Sequence, residues 1–534
     1  MIEITLAIHI LFFATTFYYM VRWMLRDMQM LQQNSYRNER YINWYKSSDE
    51  STSIARIVGY LMTVVALGTF AAKSHWVVLA IAVCALAQAL SLRNKKSKKP
   101  LVMTKRVNRM FYTELIATTA VCVFITGYIN IEWTEFFLKG GINFLVCAVL
   151  SPALTLLFNR ILKPVEEHIN QGFVNDAKKR LEGMPGMKIV GITGSYGKTS
   201  TKHYLNRILS EKYSVLMTPG SFNTPMGVVR TVREMMQPYN DLFIVEMGAK
   251  NIGDIKEICD IVHPHYGIVT AVGPQHLESF KTIENVQRTK FELVDALPSD
   301  GFAVLNNDFE YVANREVGNV DAFRYGVANT NGCQYVAKDI KYSAQGSQFT
   351  IEGEGKTLTI NTKLVGECNI SNLMAAVILA MKLGVDDDKI RYAASKIEQV
   401  EHRLNLKRTP AGITIIDDAF NSNPDGSRMA VEVLGAMTGG KRIIITPGMI
   451  ELGDKQEHYN RIFGEHIAKN CDIAIVVGQY NRTAIVNGIK SQNILADDKI
   501  ILADTFAEAQ QRMLALATRG DFVLYENDLP DTFK

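Results

Sequence analysis

The sequence predicts an α-helical transmembrane region followed by α/β domains. Three observations carry this. Five apolar runs lie before residue 160, strand-like runs alternate with helical segments from Lys188 onward, and a glycine-bounded loop, GITGSYGKTST, joins one such strand to a helix. Of the 534 residues, 47% are hydrophobic and 21% charged, below the ~25% charged residues of an ordinary soluble chain. This composition excludes a disordered chain and a small disulfide scaffold. A net charge of +4 over this length is no argument for nucleic acid, and none is expected as a partner. The seven cysteines form no CxxC pair and read as reduced core residues.

The apolar runs are about Ile4–Val21, Ile57–Ala72, Trp76–Leu92, Leu115–Ile131 and Ile142–Phe158. Each is near the lower limit of ~17–25 residues for a spanning helix, and five in succession predict spans. Glu114, at the edge of the fourth run, is expected at the membrane interface. The first run is no cleaved signal, because acidic Glu3 precedes it and Arg22 follows it. Positive charge sets the orientation. Arg26, Arg37, Arg40 and Lys46 lie between the first two runs. Arg93, Lys95, Lys96, Lys98, Lys99, Lys105, Arg106 and Arg109 lie between the third and fourth. Those loops are then cytoplasmic, the N-terminus is outside, and everything after the fifth run is delivered to the cytosol from a multi-pass anchor in the cell membrane. The lysine cluster reads as a topology signal or as a contact with anionic lipid.

From Lys188 the segments MKIVGITG, DLFIVEMGA, HYGIVTAVG and GFAVLNND read as buried strands between helical stretches such as KTSTKHYLNRILSEK. This alternation predicts a parallel sheet covered on both faces. About residues 323–364 alternate in polarity and read as an antiparallel β insertion, and the helical SNLMAAVILAMKLG follows. A second, Rossmann-like α/β unit begins near Arg408 with GITIIDDAF, KRIIITPGM and DIAIVVGQ. The expected domains are 1–160 in the membrane, 161–405 as the central domain and 406–534 at the C-terminus.

The loop Gly191–Thr201 has the context that makes a phosphate-binding motif credible. Gly194 and Gly197 let backbone N–H groups approach phosphate oxygens. The helix N-terminus adds partial positive charge. Lys198 can reach β- and γ-phosphates, and the Thr199 hydroxyl can bind Mg2+. Ile192 stands where the strict motif has its first glycine, with Gly191 one place earlier. Such loops serve transporters, kinases, switches and ligases. Spans make an ATP-driven transporter one reading, but no LSGGQ-like segment is present. Read alone, Glu246 is a metal ligand or a turn cap, His276 a ligand or a structural histidine, and Lys290 a reactive or a solvated lysine.

Taken in order, GITGSYGKTST, VEMGAKNIGDI, TAVGPQHLESFKTIENVQRTKFEL, GECNISNLMAA, EHRLN and DDAFNSNPDG resemble the motifs of the Mur ligase family, over about Lys188 to the C-terminus. The resemblance implies a central ATP-binding domain, a C-terminal α/β domain and ATP-dependent amide formation through an acyl phosphate. It implies ATP at Gly194, Ser195, Gly197, Lys198, Thr199 and Ser200, with Asn369, Asn372, Arg403 and Asp418 around the nucleotide. It implies two Mg2+ sites at Thr199, Glu246, His276 and Lys290, with Lys290 carbamylated into an anionic oxygen ligand. Lys198, Glu246, His276 and Lys290 are the expected catalytic set. Asn223, Thr224 and Gly227 resemble a substrate-facing loop. Cytosolic members carry a small soluble domain where this chain has its five apolar runs. A small-molecule or lipid-linked peptide carboxylate is expected as acceptor, an amino acid or dipeptide as donor, and membrane lipids as partners. Peptidoglycan synthesis is the first expectation, a poly-γ-glutamate or capsule ligase the second, and transport the third.

Overall fold

The computed structural model describes residues 2–48, 50–72, 74–94, 99–128, 132–343, 346–400, 403–419 and 422–528. Lys95, Lys96 and Lys98 of the basic loop, Glu401 and His402 of EHRLN, and Asn421 lie outside the described residues. The chain forms two compact units, Met1–Asn170 and Gln171–Leu529.

The first unit is helical: α1 (Ile2–Gln33), α2 (Asn38–Ser47), α3 (Ile54–Ala72), α4 (His75–Asn94), α5 (Lys105–Gly127), α6 (Trp133–Val149) and α7 (Ser151–Glu182), the last running on into the second unit. α1 packs against α4 and α6. Glycines make the close approach to α6 possible, since a Cβ on Gly141 would lie 2.5 Å from the Phe12 ring and one on Gly140 2.6 Å from the Phe13 ring. Among the described residues three helices, α1, α4 and α5, are long and apolar enough to cross a membrane, or four if α6 and α7 form one bent span, and the second apolar run falls short as the apolar stretch Ile54–Gly68. The fifth apolar run is therefore not one straight helix. It breaks between α6 and α7 with a bend of 74°. Pro152 follows Ser151 there, lacks an N–H and disfavours helical backbone in the residue before it.

The fourth run also begins earlier than expected, at Lys105. Glu114, expected near the membrane interface, is turned into the helix bundle. It is 0% exposed, and the Thr155 hydroxyl donates to it at 3.0 Å. A second buried polar knot joins Asp27 to Arg56 at 2.6 Å, with Tyr41 donating to Asp27 at 2.9 Å and the Arg56 guanidinium 3.6 Å above the Trp23 ring. Charges so deeply buried among apolar helices persist only when paired.

The second unit holds two sheets. Its central part runs β1 (Lys188–Thr193), α8 (Lys198–Leu209), β2 (Val215–Met217), α9 (Pro225–Met235), β3 (Leu242–Glu246), α10 (Asp254–Val262) and β4 (Tyr266–Val269). It continues with α11 (Leu277–Phe280), α12 (Ile283–Asp295), β5 (Phe302–Asn306), α13 (Glu310–Ala313) and β6 (Asp321–Gly326). Then come β7 (Tyr335–Ser343), β8 (Gly346–Gly353), β9 (Lys356–Thr362), α14 (Glu367–Lys382) and α15 (Asp387–Lys396). The strands form one nine-stranded sheet in the order β2-β3-β1-β4-β5-β6-β7-β8-β9. It is mixed, not purely parallel. β6 still pairs parallel to β5, and only β7, β8 and β9 form the antiparallel meander expected from about residue 323. The meander extends the main sheet through β6 and β7. Apolar strands with covered faces explain the near-continuous burial of β1 and β3.

The C-terminal part runs β10 (Asn405–Arg408), β11 (Thr414–Asp418), α16 (Pro424–Gly435), β12 (Arg442–Thr446) and α17 (Gln456–Asn470). β13 (Ile473–Val477), α18 (Arg482–Ser491), β14 (Ile500–Ala503), α19 (Phe506–Leu516) and β15 (Phe522–Glu526) complete it. The sheet order is β10-β11-β15-β12-β13-β14, parallel except for β10. The carboxyl ends of β11, β15 and β12 therefore sit side by side, the edge where open α/β sheets bind ligands. All seven cysteines are free thiols.

Candidate active site

β1 delivers the loop and α8 receives it. Gly194 has φ +148° and Gly197 φ +76°, backbone that L side chains rarely adopt. A Cβ on Gly194 would meet Thr270 Oγ1 at 2.1 Å, and one on Gly197 would meet Asn372 Oδ1 at 2.1 Å. Gly194 is thus required by shape as well as by conformation, since Ala271 N would also lie 2.9 Å from its Cβ, and Gly197 by conformation. The Ser195 hydroxyl is buried and donates to Gly273 O at 3.1 Å, so it holds the loop against the segment after β4. Ser200 is buried in the first turn of α8. Lys198 curls back over the loop and donates to Gly194 O at 2.6 Å. Burial draws its ammonium down to about 8, with Glu246 opposing and Arg403 adding to the shift.

β3 runs beside β1, with Glu246 in register with Ile192, and so ends next to the loop. Glu246 is 1% exposed. Thr199 Oγ1 donates to its Oε1 at 3.1 Å, Asn223 Nδ2 donates to the same oxygen at 3.2 Å, and Lys202 Nζ stands 3.0 Å from Oε2. Burial pushes this carboxyl up, but the Lys202 and Lys198 charges and the hydrogen bonds from Lys202 and Asn223 outweigh it and hold the group ionised. Lys290, on α12, is 1% exposed. Burial, helped by the Lys198 charge, draws its amine well below the usual lysine range, with Asp254 and Glu292 opposing. A neutral buried amine is the form that reacts with CO2.

His276 caps α11 with a left-handed backbone, φ +53°. Its Nδ1 contacts the carboxylate of Glu451, from the loop after β12. Lys250 Nζ donates to the two Glu451 oxygens at 2.9 and 3.3 Å. Burial raises Glu451, but His276 and Lys250 outweigh it and hold the group well below the usual carboxylate range. His276 itself is lowered by burial, against the pull of Glu451. The Lys250 and Lys290 charges lower it further, as the Lys198 charge lowers Lys290.

The remaining expected residues divide. Asn372 lies beneath Gly197 and accepts from Thr201 Oγ1 at 3.3 Å. Asn369 turns inward, accepting from Tyr204 OH at 2.9 Å and donating to Val365 O at 2.9 Å. Arg403 is coupled to both Asp418 and Glu246 and, with Thr199, His203, Arg207, Gly220 and Glu398, lines a cavity of about 660 Å³. Asp418 accepts from Leu404 N at 3.2 Å, and burial pushes it up to about 6, with Arg403 opposing. Glu526 ends β15 next to Asp418, accepts from Thr446 and Ser427 at 2.7 and 2.8 Å, and is pushed up to about 7 by burial.

These residues fit a nucleotide with a divalent cation. Thr199 and Glu246 offer two hard oxygens within 3.1 Å of each other. Among the described residues no three His, Cys, Asp or Glu side chains gather as a cage. A cation shared between few protein oxygens and phosphate oxygens is the arrangement Mg2+ ordinarily adopts.

A family model described as the Mur ligase middle domain matches residues 192–380, and one described as the Mur ligase, glutamate ligase domain matches residues 402–525. The chain belongs to the Mur ligase family. Its members are ATP-dependent, amide-forming ligases, and this chain is one of them. The UDP-N-acetylmuramoyl-tripeptide--D-alanyl-D-alanine ligase of Bacillus subtilis is 27% identical over 344 residues, 64% of this chain and 73% of that protein. Its Escherichia coli counterpart is 27% identical over 336 residues, 62% and 74% respectively. A crystal structure of MurF from Acinetobacter baumannii superposes with TM-score 0.61 at 26% identity, covering 67% of this chain and 77% of that one. MurF ligase from Thermotoga maritima in complex with ADP gives TM-score 0.59 at 25% identity, covering 67% and 80%. Both Mur ligase models lie C-terminal to residue 191 and leave the helical unit unmatched.

Sequence reasoning missed Lys202, Lys250 and Glu451. Lys202 reads as one more polar residue of an amphipathic helix, and only the fold shows that it is 0% exposed against Glu246. The Glu451 contact joins positions 175 residues apart, with no motif linking them.

Proposed function

We propose that this Mur ligase joins an amino acid or dipeptide to a peptide carboxylate in cell-wall precursor synthesis, at the cytoplasmic face of the membrane. The acceptor carboxylate attacks the γ-phosphorus of ATP, and ADP leaves. The donor amine then attacks the acyl carbon of the acyl phosphate, loses its proton, and phosphate departs. Lys198 offsets the charge of the transferring group. Thr199 and Glu246 would hold one Mg2+, and His276 with a carbamylated Lys290 a second; such cations screen phosphate charge when bound. Asn372 and Arg403 flank the nucleotide, while Ser195 and Asn369 shape the loop and the helix behind it. Domain boundaries near 160 and 405 separate the anchor, the nucleotide domain and the domain that brings the amine. Alignment of carboxylate, phosphate and amine supplies most of the rate gain.

The observation that supports this reading is the contact of Thr199 and Lys202 with the buried Glu246 beside the glycine-bounded loop over which Lys198 folds. The named relatives make a UDP-linked tripeptide and D-alanyl-D-alanine the first substrates to test. The apolar helices favour a lipid-linked acceptor as the second reading. The detergent-solubilised chain is given ATP, D-alanyl-D-alanine and either acceptor, with phosphate release and product mass followed. Phosphate appearing only with both acceptor and amine supports ligation. ATP hydrolysis independent of both would overturn it.

A further inference from the structure

Glu451 belongs to the C-terminal domain, in the loop that follows β12, whereas His276 and Lys250 belong to the central domain. The three side chains meet, and the contact is built rather than incidental. Glu451 has φ +64°, an unusual backbone for a glutamate, and its carbonyl accepts from Glu278 N at 3.3 Å on the same turn that His276 caps. Gly453 follows with φ +59°, and a Cβ there would lie 3.3 Å from Glu278 Cα. Ser279 Oγ donates to Lys250 O at 2.5 Å, which ties Lys250 to the same turn. The carboxylate is thus gripped by a lysine on one side and by a histidine Nδ1 on the other.

A neutral imidazole that donates from Nδ1 carries its lone pair on Nε2. Among the described residues His276 Nε2 has no protein hydrogen-bond partner. Histidines that bind metals characteristically donate their other ring N–H to a carboxylate, which fixes the tautomer and raises ligand basicity. We propose that Glu451 is a positioning residue: supplied by the C-terminal domain, it holds His276 by Nδ1 and so leaves Nε2 as a divalent-cation ligand. Docking of that domain and completion of the cation site are then one event. This rests on the reading of His276 as a cation ligand. It adds the partner that makes the histidine competent and assigns it to the opposite domain.

The test uses the full chain in detergent with ADP, titrated with Mn2+ and followed by electron paramagnetic resonance of the free ion. His276→Ala, Glu451→Ala, Glu451→Gln, Glu451→Asp and the His276→Ala/Glu451→Ala double variant are compared, with thermal unfolding as the control for folding. The expected result is a Mn2+ affinity ten- to a hundredfold weaker in Glu451→Ala. Glu451→Gln should weaken it less and Glu451→Asp should recover part of it. The double variant should be no weaker than His276→Ala alone, because both changes remove one ligand. In turnover assays Glu451→Gln should need more Mg2+ for half-maximal rate and regain most of kcat when Mg2+ is raised, which a merely unfolded interface would not do. Should Glu451→Ala fail to fold, the Gln and Asp variants carry the same comparison. Wild-type Mn2+ affinity in Glu451→Ala or Glu451→Gln, alongside a weakened His276→Ala, overturns the role of Glu451 alone. Wild-type affinity in His276→Ala overturns the histidine reading and this proposal with it.

Discussion

In the proposed reaction Lys198 offsets the charge of the transferring phosphate, and its surroundings predict a pH dependence. Burial draws its ammonium from the ordinary lysine range to about 8. The charged form is the one that offsets phosphate charge, so the useful state is present below about 8 and is lost as pH rises through it. The expected outcome is a kcat/KM for ATP that falls about tenfold per pH unit above that point, since this ratio reports free-enzyme ionisations. Anionic phosphates favour the cation once bound, so the fall in kcat should come at higher pH than the fall in kcat/KM. Steady-state phosphate release between pH 6.5 and 9.5 measures both. Lys198→Met should lower kcat on the order of 10²–10³-fold at every pH, the scale of losing one charge-stabilising donor. A kcat/KM profile that stays flat to pH 9.5 in the wild type would remove Lys198 from this role. The same neighbourhood explains why Lys290 differs from Lys198. It lies deeper in the core of α12 and feels the Lys198 charge, so its amine is the one pushed furthest toward neutrality.

At the scale of elements, the site is a strand-loop-helix whose backbone takes a positive φ at two glycines. Gly197→Ala places a methyl where Asn372 Oδ1 stands 2.1 Å away, at a φ of +76° that alanine rarely adopts. The Asn372 side chain must swing aside, and the loop must hold a conformation that alanine disfavours. ADP affinity is expected to fall at least tenfold, while the sheet, whose strands the change does not touch, keeps its unfolding temperature to within a few degrees. Calorimetric titration with ADP and a thermal melt check the two halves, and unchanged ADP affinity would show the loop to be plastic. This loop was legible in the sequence because its signal is local: apolar strand, glycines, lysine, threonine, helix in unbroken succession. The strand ends were legible for the same reason, as in VEMGA and DDAF. What was not legible depends on distance or on side-chain direction. Nothing local marks Lys202 as buried, Asn369 as turned inward toward Tyr204, or Glu451 as the partner of His276. The fifth apolar run misled in the opposite sense: hydropathy is blind to direction, and Pro152 bends the chain inside a run that composition alone reads as continuous.

At the scale of the molecule, the chain divides its tasks between two units of unlike character. Both sheets, the phosphate loop, and the Glu246, Lys290 and His276 positions lie within Gln171–Leu529. That unit has its own buried cores, one on each face of the central sheet and others in the C-terminal part. Phe173, Val174 and Ala177 at the end of α7 pack into one of them. Each sheet is internally paired, so a fragment beginning at Gln171 loses none of the hydrogen bonds of either ladder. Such a fragment is expected to stay in the supernatant after ultracentrifugation without detergent and to bind ADP within about threefold of the full chain. The helical unit, with three or four candidate spans, should partition into the membrane fraction by itself. The two substrate readings then separate kinetically. Tethering to a bilayer raises the effective concentration of an acceptor confined to the same bilayer, without any new contact. Against a lipid-linked acceptor in vesicles the fragment should lose at least tenfold in rate relative to the reconstituted full chain, and against a soluble UDP-linked acceptor it should lose little. Equal loss on both would mean that the helical unit shapes the catalytic site rather than locating it. A fragment that aggregates or fails to bind ADP would mean that the catalytic unit needs residues before 171 to fold.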